Sequence, residues 1–305
     1  MSPRSRARPV QTERRPAHNT VWWISGTIVC ALLFIAVYLL FVLSVPGQLI
    51  DVAVRAPAAS FDHPLPPLDP DNQRIAAWIL APPAVVLGLI TLPGRHFISL
   101  GVAAAVVAAS NITTQAVKHL WLDRPELIPD AGTTNALPSG HTTMAASAAV
   151  AVFLAADARN RPWVGTLAAV WGAGWGAYIF IENWHRPSDM VAAYLVVAGW
   201  GLVGGWLIMR YDPQRNTLFE EVPSAKVFET LCWTVGGLLS AAAIGSLYAG
   251  GGWAGLERTI DGDHSLWHWL VGALLSVGPA FLAAAAGIRF FHREAGRAFP
   301  EAKEP

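Results

Sequence analysis

Side chains able to do chemistry gather in two polar stretches of an otherwise apolar sequence. The first is NITTQAVKHLWLDRPELIPDAGTTNALPSGH, residues 111–141, and the second is IENWHRPSDM, residues 181–190. Each places a histidine beside a lysine or arginine. Imidazoles act as nucleophiles or transfer protons, and fixed cations bind anions. The two stretches therefore indicate chemistry on an anionic group.

The tetrapeptide Pro138–His141 stands directly before an apolar run that we expect to be helical. Ser139 occupies the N-cap position, where its oxygen can accept from a free N–H of the first turn. Gly140 lets the backbone approach a ligand, and the partial positive charge of a helix N-terminus favours an anion. Capping alone would explain the serine. It does not require the imidazole of His141, which we interpret as a general acid.

Two cations precede this tetrapeptide. Asn111, Gln115 and Lys118 recur at helical spacing and share one helix face, and Arg124 follows Lys118. Lys118 alone would fit a side chain that extends to the membrane surface. Two cations held at one place repel each other unless an anion binds between them, so we predict that Lys118 and Arg124 bind substrate.

The second stretch contains His185 and, four residues later, Asp189. If a helix begins here, Asp189 can accept a hydrogen bond from one ring nitrogen. That bond fixes the tautomer and leaves the other nitrogen free to attack. The alternative is an aspartate that caps the helix beside a histidine in a solvated loop.

Together these residues predict phosphoryl transfer through a phosphohistidine, with bound cations and a proton donor for the departing oxygen. Cys30 and Cys232 both lie in apolar runs, and no cluster of His, Cys, Asp or Glu has the spacing of a metal site. We therefore expect no metal and no other cofactor.

The elements that must position this site are membrane helices. Of the 305 residues 53% are hydrophobic and only 14% are charged, against about 25% in soluble domains, and the mean hydropathy is +0.40. Eight apolar stretches have about the twenty residues that cross a ~30 Å hydrocarbon layer. We predict an all-α polytopic transmembrane bundle with spans at about 21–45, 75–93, 97–117, 139–156, 163–181, 190–209, 231–250 and 268–288.

Lysine and arginine are unevenly distributed between the predicted loops. With the N-terminus in the cytoplasm, fifteen lie on the cytoplasmic side and six on the other: Arg55, Arg74, Lys118, Arg124, Arg186 and Arg258. This bias is typical of a protein with both termini inside. It places both polar stretches on the non-cytoplasmic side.

Five segments follow from this topology. We expect a disordered basic N-terminus at 1–20, a six-span core at 21–209, a cytoplasmic linker at 210–230, two additional spans within 231–288 and a cytoplasmic tail at 289–305. Residues 46–74 and 251–267 are predicted outer loops, the first because four prolines between positions 64 and 70 oppose a continuous helix.

These motifs resemble those of the type 2 phosphatidic acid phosphatase (PAP2) and vanadium haloperoxidase superfamily. Its signatures are Lys-x6-Arg-Pro, Pro-Ser-Gly-His and Ser-Arg-x5-His-x3-Asp. Pro138–His141 matches the second in full, and His185–Asp189 matches the second half of the third. Membrane members carry the signatures after span 3, at the start of span 4 and between spans 5 and 6, which is the order here across residues 21–209.

The resemblance implies a role for each matching residue. His185 would be the nucleophile, Asp189 its orienting partner and His141 the acid that protonates the leaving alcohol. The phosphoryl oxygens would be bound by Lys118, Arg124, Ser139 and Gly140.

Two positions depart from the family pattern. Five residues rather than six separate Lys118 from Arg124, and Tyr178-Ile179 stands where the Ser-Arg pair is expected. Arg186 is a candidate replacement for the missing arginine. The departure leaves a second hypothesis open, a PAP2-like membrane protein that binds lipid phosphates but hydrolyses them weakly or not at all.

We therefore expect a multi-pass plasma-membrane hydrolase, a lipid phosphate phosphatase that acts at the non-cytoplasmic face. Trp121 and Trp184, predicted at interfacial depth, suit a lipid headgroup. Candidate substrates are phosphatidic acid, phosphatidylglycerophosphate and polyprenyl diphosphates. The expected partners are this lipid and the bilayer, because zero net charge provides no basic field for nucleic acid. Oligomeric state is left open.

A transporter is a less favoured function because no internal repeat is visible in the sequence. A haloperoxidase is also less favoured, because those members of the superfamily are expected to be soluble.

Overall fold

Ten α-helices make up most of the part of the chain described by the computed structural model, which covers residues 19–57, 73–92, 96–260, 262 and 265–297. They are α1 (Thr20–Val37), α2 (Val45–Arg55), α3 (Gln73–Thr91), α4 (Phe97–Ala116), α5 (Gly140–Ala155), α6 (Arg161–Ile181), α7 (Pro187–Tyr211), α8 (Ser224–Ala249), α9 (Gly252–Ile260) and α10 (Leu266–Glu294). A π-helical turn extends α1 over Tyr38–Val42, and another extends α4 over Val117–Trp121.

The predicted all-α polytopic bundle is confirmed. The expected disorder of residues 1–20 concerns a segment almost wholly outside the described residues.

All eight predicted spans form helices, and six of them are long and apolar enough to cross a membrane. These six are α1 and α4, each with its π-helical turn, and α6, α7, α8 and α10. Large apolar side chains on their outer faces are exposed, as expected of helices that contact lipid. The apolar segments Ile75–Thr91 of α3 and Gly140–Ala155 of α5 are shorter. The count of eight spans therefore stays a prediction.

Helix α5 is short and enclosed. It contacts α3, α4, α6 and α7, and most of its side chains are buried. Its 16 residues extend about 24 Å at ~1.5 Å per residue, less than the ~30 Å of a hydrocarbon layer. An enclosed helix does not need to reach either membrane surface. The N-terminus of α5 therefore lies inside the bundle, and the fully buried Ser139 caps it there.

The prediction that residues 46–74 form only a loop is wrong for its first part, which is α2. Ser44 caps this helix by accepting from the Gly47 N–H, and Pro46 lies in the first turn, where proline is tolerated. Gly47 is required because a Cβ there would lie 1.9 Å from the Leu40 carbonyl oxygen. The prolines that argued against a helix all come later, outside the described residues. The second predicted outer loop likewise contains a helix, α9.

At the end of the bundle away from Ser139, the predicted linker contacts the C-terminal segment. A 3₁₀ turn over Pro213–Asn216 leads into β1 (Thr217–Leu218), which pairs in parallel with β2 (Gly296–Arg297). Helix α10 packs on α2, α6 and α7 as well as on α8. The boundaries of the predicted domains stay predictions, but the last spans contact the predicted core directly.

A buried arginine joins the end of α5 to this linker. The Arg161 guanidinium donates to the carbonyl oxygens of Ala156 at 2.9 Å and Phe153 at 3.3 Å, and to the Asn216 side chain. Its positive charge also lies 5.1 Å from the centre of the Phe291 ring. The last carbonyl groups of a helix have no partner within the helix. Arg161 therefore provides hydrogen-bond donors for carbonyl groups at the end of α5.

We predict that Arg161→Lys lowers the melting temperature of the detergent-solubilised protein by several degrees, although it keeps the charge. An ammonium group lacks the planar fork that reaches several acceptors at once, and a buried hydrogen bond to a charged group contributes about 1.5–3 kcal/mol. Intrinsic tryptophan fluorescence during heating measures the effect. Arg159→Lys, at an exposed ion pair with Glu220, is the control. Equal shifts in the two variants would contradict the assigned role.

Candidate active site

The two stretches identified by their chemistry meet at one end of the bundle. The Ser139 N–H donates to the backbone carbonyl of Asp189 at 2.9 Å, which joins the start of α5 to the start of α7. The ring centres of His141 and His185 are 6.4 Å apart. The two predicted histidines therefore lie close together at this end of the bundle.

His185 and Asp189 are oriented by the first turn of α7. The Asp189 Oδ2 atom lies 3.2 Å from His185 Nδ1 and accepts the Arg186 N–H at 3.1 Å. Asp189 is fully buried and His185 is 8% exposed. A carboxylate is favourable at a helix N-terminus, where the dipole is positive. The contact engages Nδ1 and leaves Nε2 as the ring nitrogen available for attack.

The start of α5 has the capping geometry that the sequence predicted. The Ser139 oxygen accepts from the Thr142 N–H at 3.3 Å and from the Thr142 hydroxyl at 2.9 Å. The serine hydroxyl can still donate its own proton. Gly140 is the first helical residue, and a Cβ at this position would lie 3.6 Å from the Gln115 side-chain nitrogen. The start of α5 and the polar face of α4 therefore border the same space.

Two guanidinium groups lie side by side next to this space. Arg186 Nη2 donates to the Ala131 carbonyl at 2.5 Å, and Arg124 Nε donates to the same oxygen at 3.3 Å. Arg124 is 3% exposed, and its two terminal nitrogens have no hydrogen-bond partner among the described residues. Buried polar groups are rarely left unsatisfied. Burial lowers the pKa of Arg124, and the positive charge of Arg186 lowers it further. Arg124 is thus a strong candidate to bind an anion.

Lys118 lies in the π-helical turn after α4 and is half-buried. Its carbonyl oxygen accepts from the Asn135 side chain at 3.4 Å, and this amide also donates to the carbonyls of Leu122 and Leu137. Within the described part of the chain, no hydrogen bond or ion pair holds the Lys118 ammonium group. Its role in binding substrate stays a prediction.

The positions where the family pattern has Ser-Arg contain apolar packing. Ile179 is fully buried in a cluster with Phe180 and Met190. The Tyr178 ring packs edge-to-face on Trp184, whose centre lies 5.2 Å from that of His141. Position 179 therefore provides no cation. The aromatic rings provide a wall beside His141.

The matching family model confirms the resemblance. Residues 98–217 match the model described as the PAP2 superfamily. This segment of the chain is similar to that superfamily. No curated protein and no solved structure matches the chain. The PAP2 segment begins in α4, ends in β1 and contains every predicted site residue, but it starts later than the 21–209 segment expected from the motifs.

Three polar residues outside the PAP2 segment also reach the site, and the sequence reasoning missed them. Gln48 donates to the Pro125 carbonyl at 2.7 Å and accepts the Leu127 N–H at 3.0 Å, which anchors the loop after Arg124. Asp51, 1% exposed, accepts the Ser188 hydroxyl, and Arg55 Nε donates to Asn183 Oδ1 at 2.6 Å. Their spacing of three and four residues on one face of α2 was the available signal.

The buried carboxyl group of Asp51 has a raised pKa. Burial raises its pKa to about 7, and the negative charge of Asp189 acts in the same direction. The Ser188 hydrogen bond and the positive charges of Arg186 and Arg124 act in the opposite direction. Asp51 therefore titrates near neutral pH. Among the described residues, no three His, Cys, Asp or Glu side chains are grouped to hold a metal ion.

The Asp51 shift predicts a pH dependence of stability. Its ordinary pKa is 3.8, so between about pH 4 and pH 7 the folded chain holds a proton that the unfolded chain has lost. This contribution to stability is complete below that range and is lost as the pH rises through about 7. Asp51→Asn removes it. We expect the fall in melting temperature between pH 5 and pH 8 to be several degrees smaller in the variant.

The exposed Glu220→Gln variant is the control for Asp51→Asn, because both substitutions remove one carboxylate. Its melting temperature should follow the wild-type pH profile. Parallel profiles for wild type and Asp51→Asn would contradict the raised pKa.

Proposed function

We propose that this membrane protein is a lipid phosphate phosphatase that hydrolyses a phosphomonoester or diphosphate through a phosphohistidine. One observation carries the proposal: an imidazole hydrogen-bonded to a buried carboxylate lies 6.4 Å from a second imidazole. The terminal nitrogens of the buried Arg124, which have no hydrogen-bond partner within the described part of the chain, support the assignment of the bound group as an anion.

In the first step, His185 Nε2 attacks phosphorus in line with the ester oxygen. The P–N bond forms as the P–O bond breaks, and the imidazolium of His141 gives its proton to the departing alkoxide. The negative charge of the phosphoryl oxygens is stabilised by Arg124, by the hydroxyl and amide groups at the start of α5, and by Lys118. Asp189 stabilises the positive charge that develops on the His185 ring.

In the second step, water attacks phosphorus and gives a proton to the now neutral His141. The P–N bond breaks, inorganic phosphate leaves and His185 returns to its starting form. His141 acts as acid in one step and as base in the other, so the two steps together restore the protonation states of both rings.

A lipid substrate and the non-cytoplasmic face of the plasma membrane are parts of the proposal. Leu120 and Trp121, adjacent to Lys118, are 76% and 69% exposed, which suits contact with the interfacial region of a bilayer. The distribution of lysine and arginine favours an outward-facing site. Phosphatidic acid, phosphatidylglycerophosphate and polyprenyl diphosphates are the candidate substrates.

A second candidate function is lipid phosphate binding without turnover. The observation that favours it is Ile179, which is buried in the core where the family pattern has an arginine. A charge-assisted contact missing from the transition state lowers the rate without preventing binding. Phosphate binding in the absence of hydrolysis across a panel of lipid phosphates would support this function.

One prediction tests His185 as the nucleophile. Purified wild-type protein in detergent should release inorganic phosphate from at least one candidate lipid, and EDTA should not reduce the rate. His185→Asn keeps a side chain of similar polarity but cannot form the phosphoenzyme, so its release should fall to background. Turnover equal to wild type would exclude the mechanism. Retained turnover by His119→Asn, at an exposed histidine, provides the control.

Another prediction tests His141 as the acid that protonates the leaving group. His141→Gln should slow hydrolysis of a lipid phosphate by about 10²–10⁴-fold, the typical contribution of a general acid. Phosphoenzyme formation from p-nitrophenyl phosphate should be affected far less, because p-nitrophenolate departs without a proton. Burst kinetics on both substrates measure this step. An equal loss on both would contradict the role of His141 as the acid.

A further inference from the structure

Helix α2 lies outside the PAP2 segment but contributes polar side chains to the site. It follows the π-helical turn after α1 and is held by contacts with α9 and α10. Gln48, Asp51 and Arg55 follow one another along its inner face. Gln48 and Asp51 contact the two segments that carry Arg124 and His185. The helix is therefore part of the wall of the site.

Arg55 is held beside the loop that carries the proposed nucleophile. Its Nε donates at 2.6 Å to the side-chain oxygen of Asn183, two residues before His185. Asn183 has a left-handed backbone conformation, with φ of 59°, which places it in the tight turn between α6 and α7. The anchor engages Nε and holds the Arg55 guanidinium beside the turn that leads into α7.

The charges around Arg55 form one cluster. Burial lowers the pKa of Arg55, and the positive charge of Arg186 lowers it further, while Asp189 and Asp51 act in the opposite direction. Arg124 interacts with the same groups, including Arg55 itself. Three guanidinium groups are thus close enough to repel one another, and one of the two carboxyl groups, Asp51, is neutral below about pH 7. A bound anion would relieve this repulsion.

We propose that Arg55 binds the phosphoryl group of the substrate together with Arg124 and Arg186. This inference rests on the proposed function of the site. It assigns a substrate-binding residue to a helix outside the PAP2 segment, and it gives the site a third guanidinium group although position 179 provides none. The ligand class is a phosphate dianion, which an inorganic phosphate ion or the terminal group of a lipid can present.

The structural alternative is that Arg55 only ties α2 to the loop at Asn183. Two variants that remove its charge, Arg55→Gln and Arg55→Met, separate the two roles when stability is measured with and without inorganic phosphate. If the role of Arg55 is only structural, its loss lowers the melting temperature by the same amount with and without phosphate. A binding role also reduces the rise in melting temperature that phosphate causes, and this readout requires no turnover.

For Arg55→Gln we expect the phosphate-induced rise to be lost or strongly reduced. We also expect KM for a lipid phosphate to increase about 10- to 100-fold, the effect of one lost charge-assisted hydrogen bond. Arg55→Lys should keep part of the phosphate-induced rise and should increase KM less than Arg55→Gln does, because lysine keeps the charge but not the planar fork. Asn183→Gly keeps the left-handed backbone, removes the anchor and should give a smaller change in the same direction.

Arg159→Gln is the matched control, since it removes an exposed arginine at the opposite end of the bundle. An unchanged phosphate-induced rise and an unchanged KM in Arg55→Gln, or in Arg55→Met if the first variant does not fold, would overturn the inference. Failure of the proposed function gives a different result: the wild type would hydrolyse no substrate, yet phosphate would stabilise it, and loss of Arg55 would still abolish that effect.

Discussion

The geometry of the site depends on one buried residue, Asp189. Its Oδ2 atom contacts the His185 ring and accepts the N–H of Arg186, while its carbonyl oxygen accepts the N–H of Ser139. These three contacts connect the proposed nucleophile, the start of α7 and the start of α5. A buried carboxylate needs such partners because desolvation is costly. The same contacts that stabilise Asp189 therefore hold the two histidine rings close together, with their centres 6.4 Å apart.

The second constraint is the cost of placing several charges inside a helical bundle. The guanidinium groups of Arg124 and Arg186 share one carbonyl oxygen, and Arg55 is held by the side chain of Asn183. Partial compensation comes from Asp189 and, when ionised, from Asp51. Such a cluster is poorly balanced without a ligand, and the phosphate dianion proposed for this site would supply the missing negative charge. A site with this charge pattern gains affinity for its ligand by relieving repulsion already present in the free protein.

Features set by short-range spacing were predictable from the sequence, whereas long-range contacts were not. His185 and Asp189 are one helical turn apart, and Ser139 directly precedes a helix, so their local geometry followed once the helices were placed. The direction of Arg186 depends on its extended backbone before α7, which a sequence pattern does not specify. Asp51 and Ser188 are separated by 137 positions. That contact exists because α2 packs across the bundle, in a segment that its later prolines had marked as a loop.

The packing of α2 also gives the last helices a structural role. Leu49, Ala53 and Val54 of α2 form a buried cluster with Leu256 of α9 and Val271 of α10. At Gly272, a Cβ would lie 2.3 Å from the Phe180 ring and 3.2 Å from Val54, so the absence of a side chain lets α10 approach both α6 and α2. Helices outside the PAP2 segment therefore hold the apolar face of α2. Since its polar face carries Gln48, Asp51 and Arg55, the added helices position part of the candidate site without contributing the two histidines proposed to be catalytic.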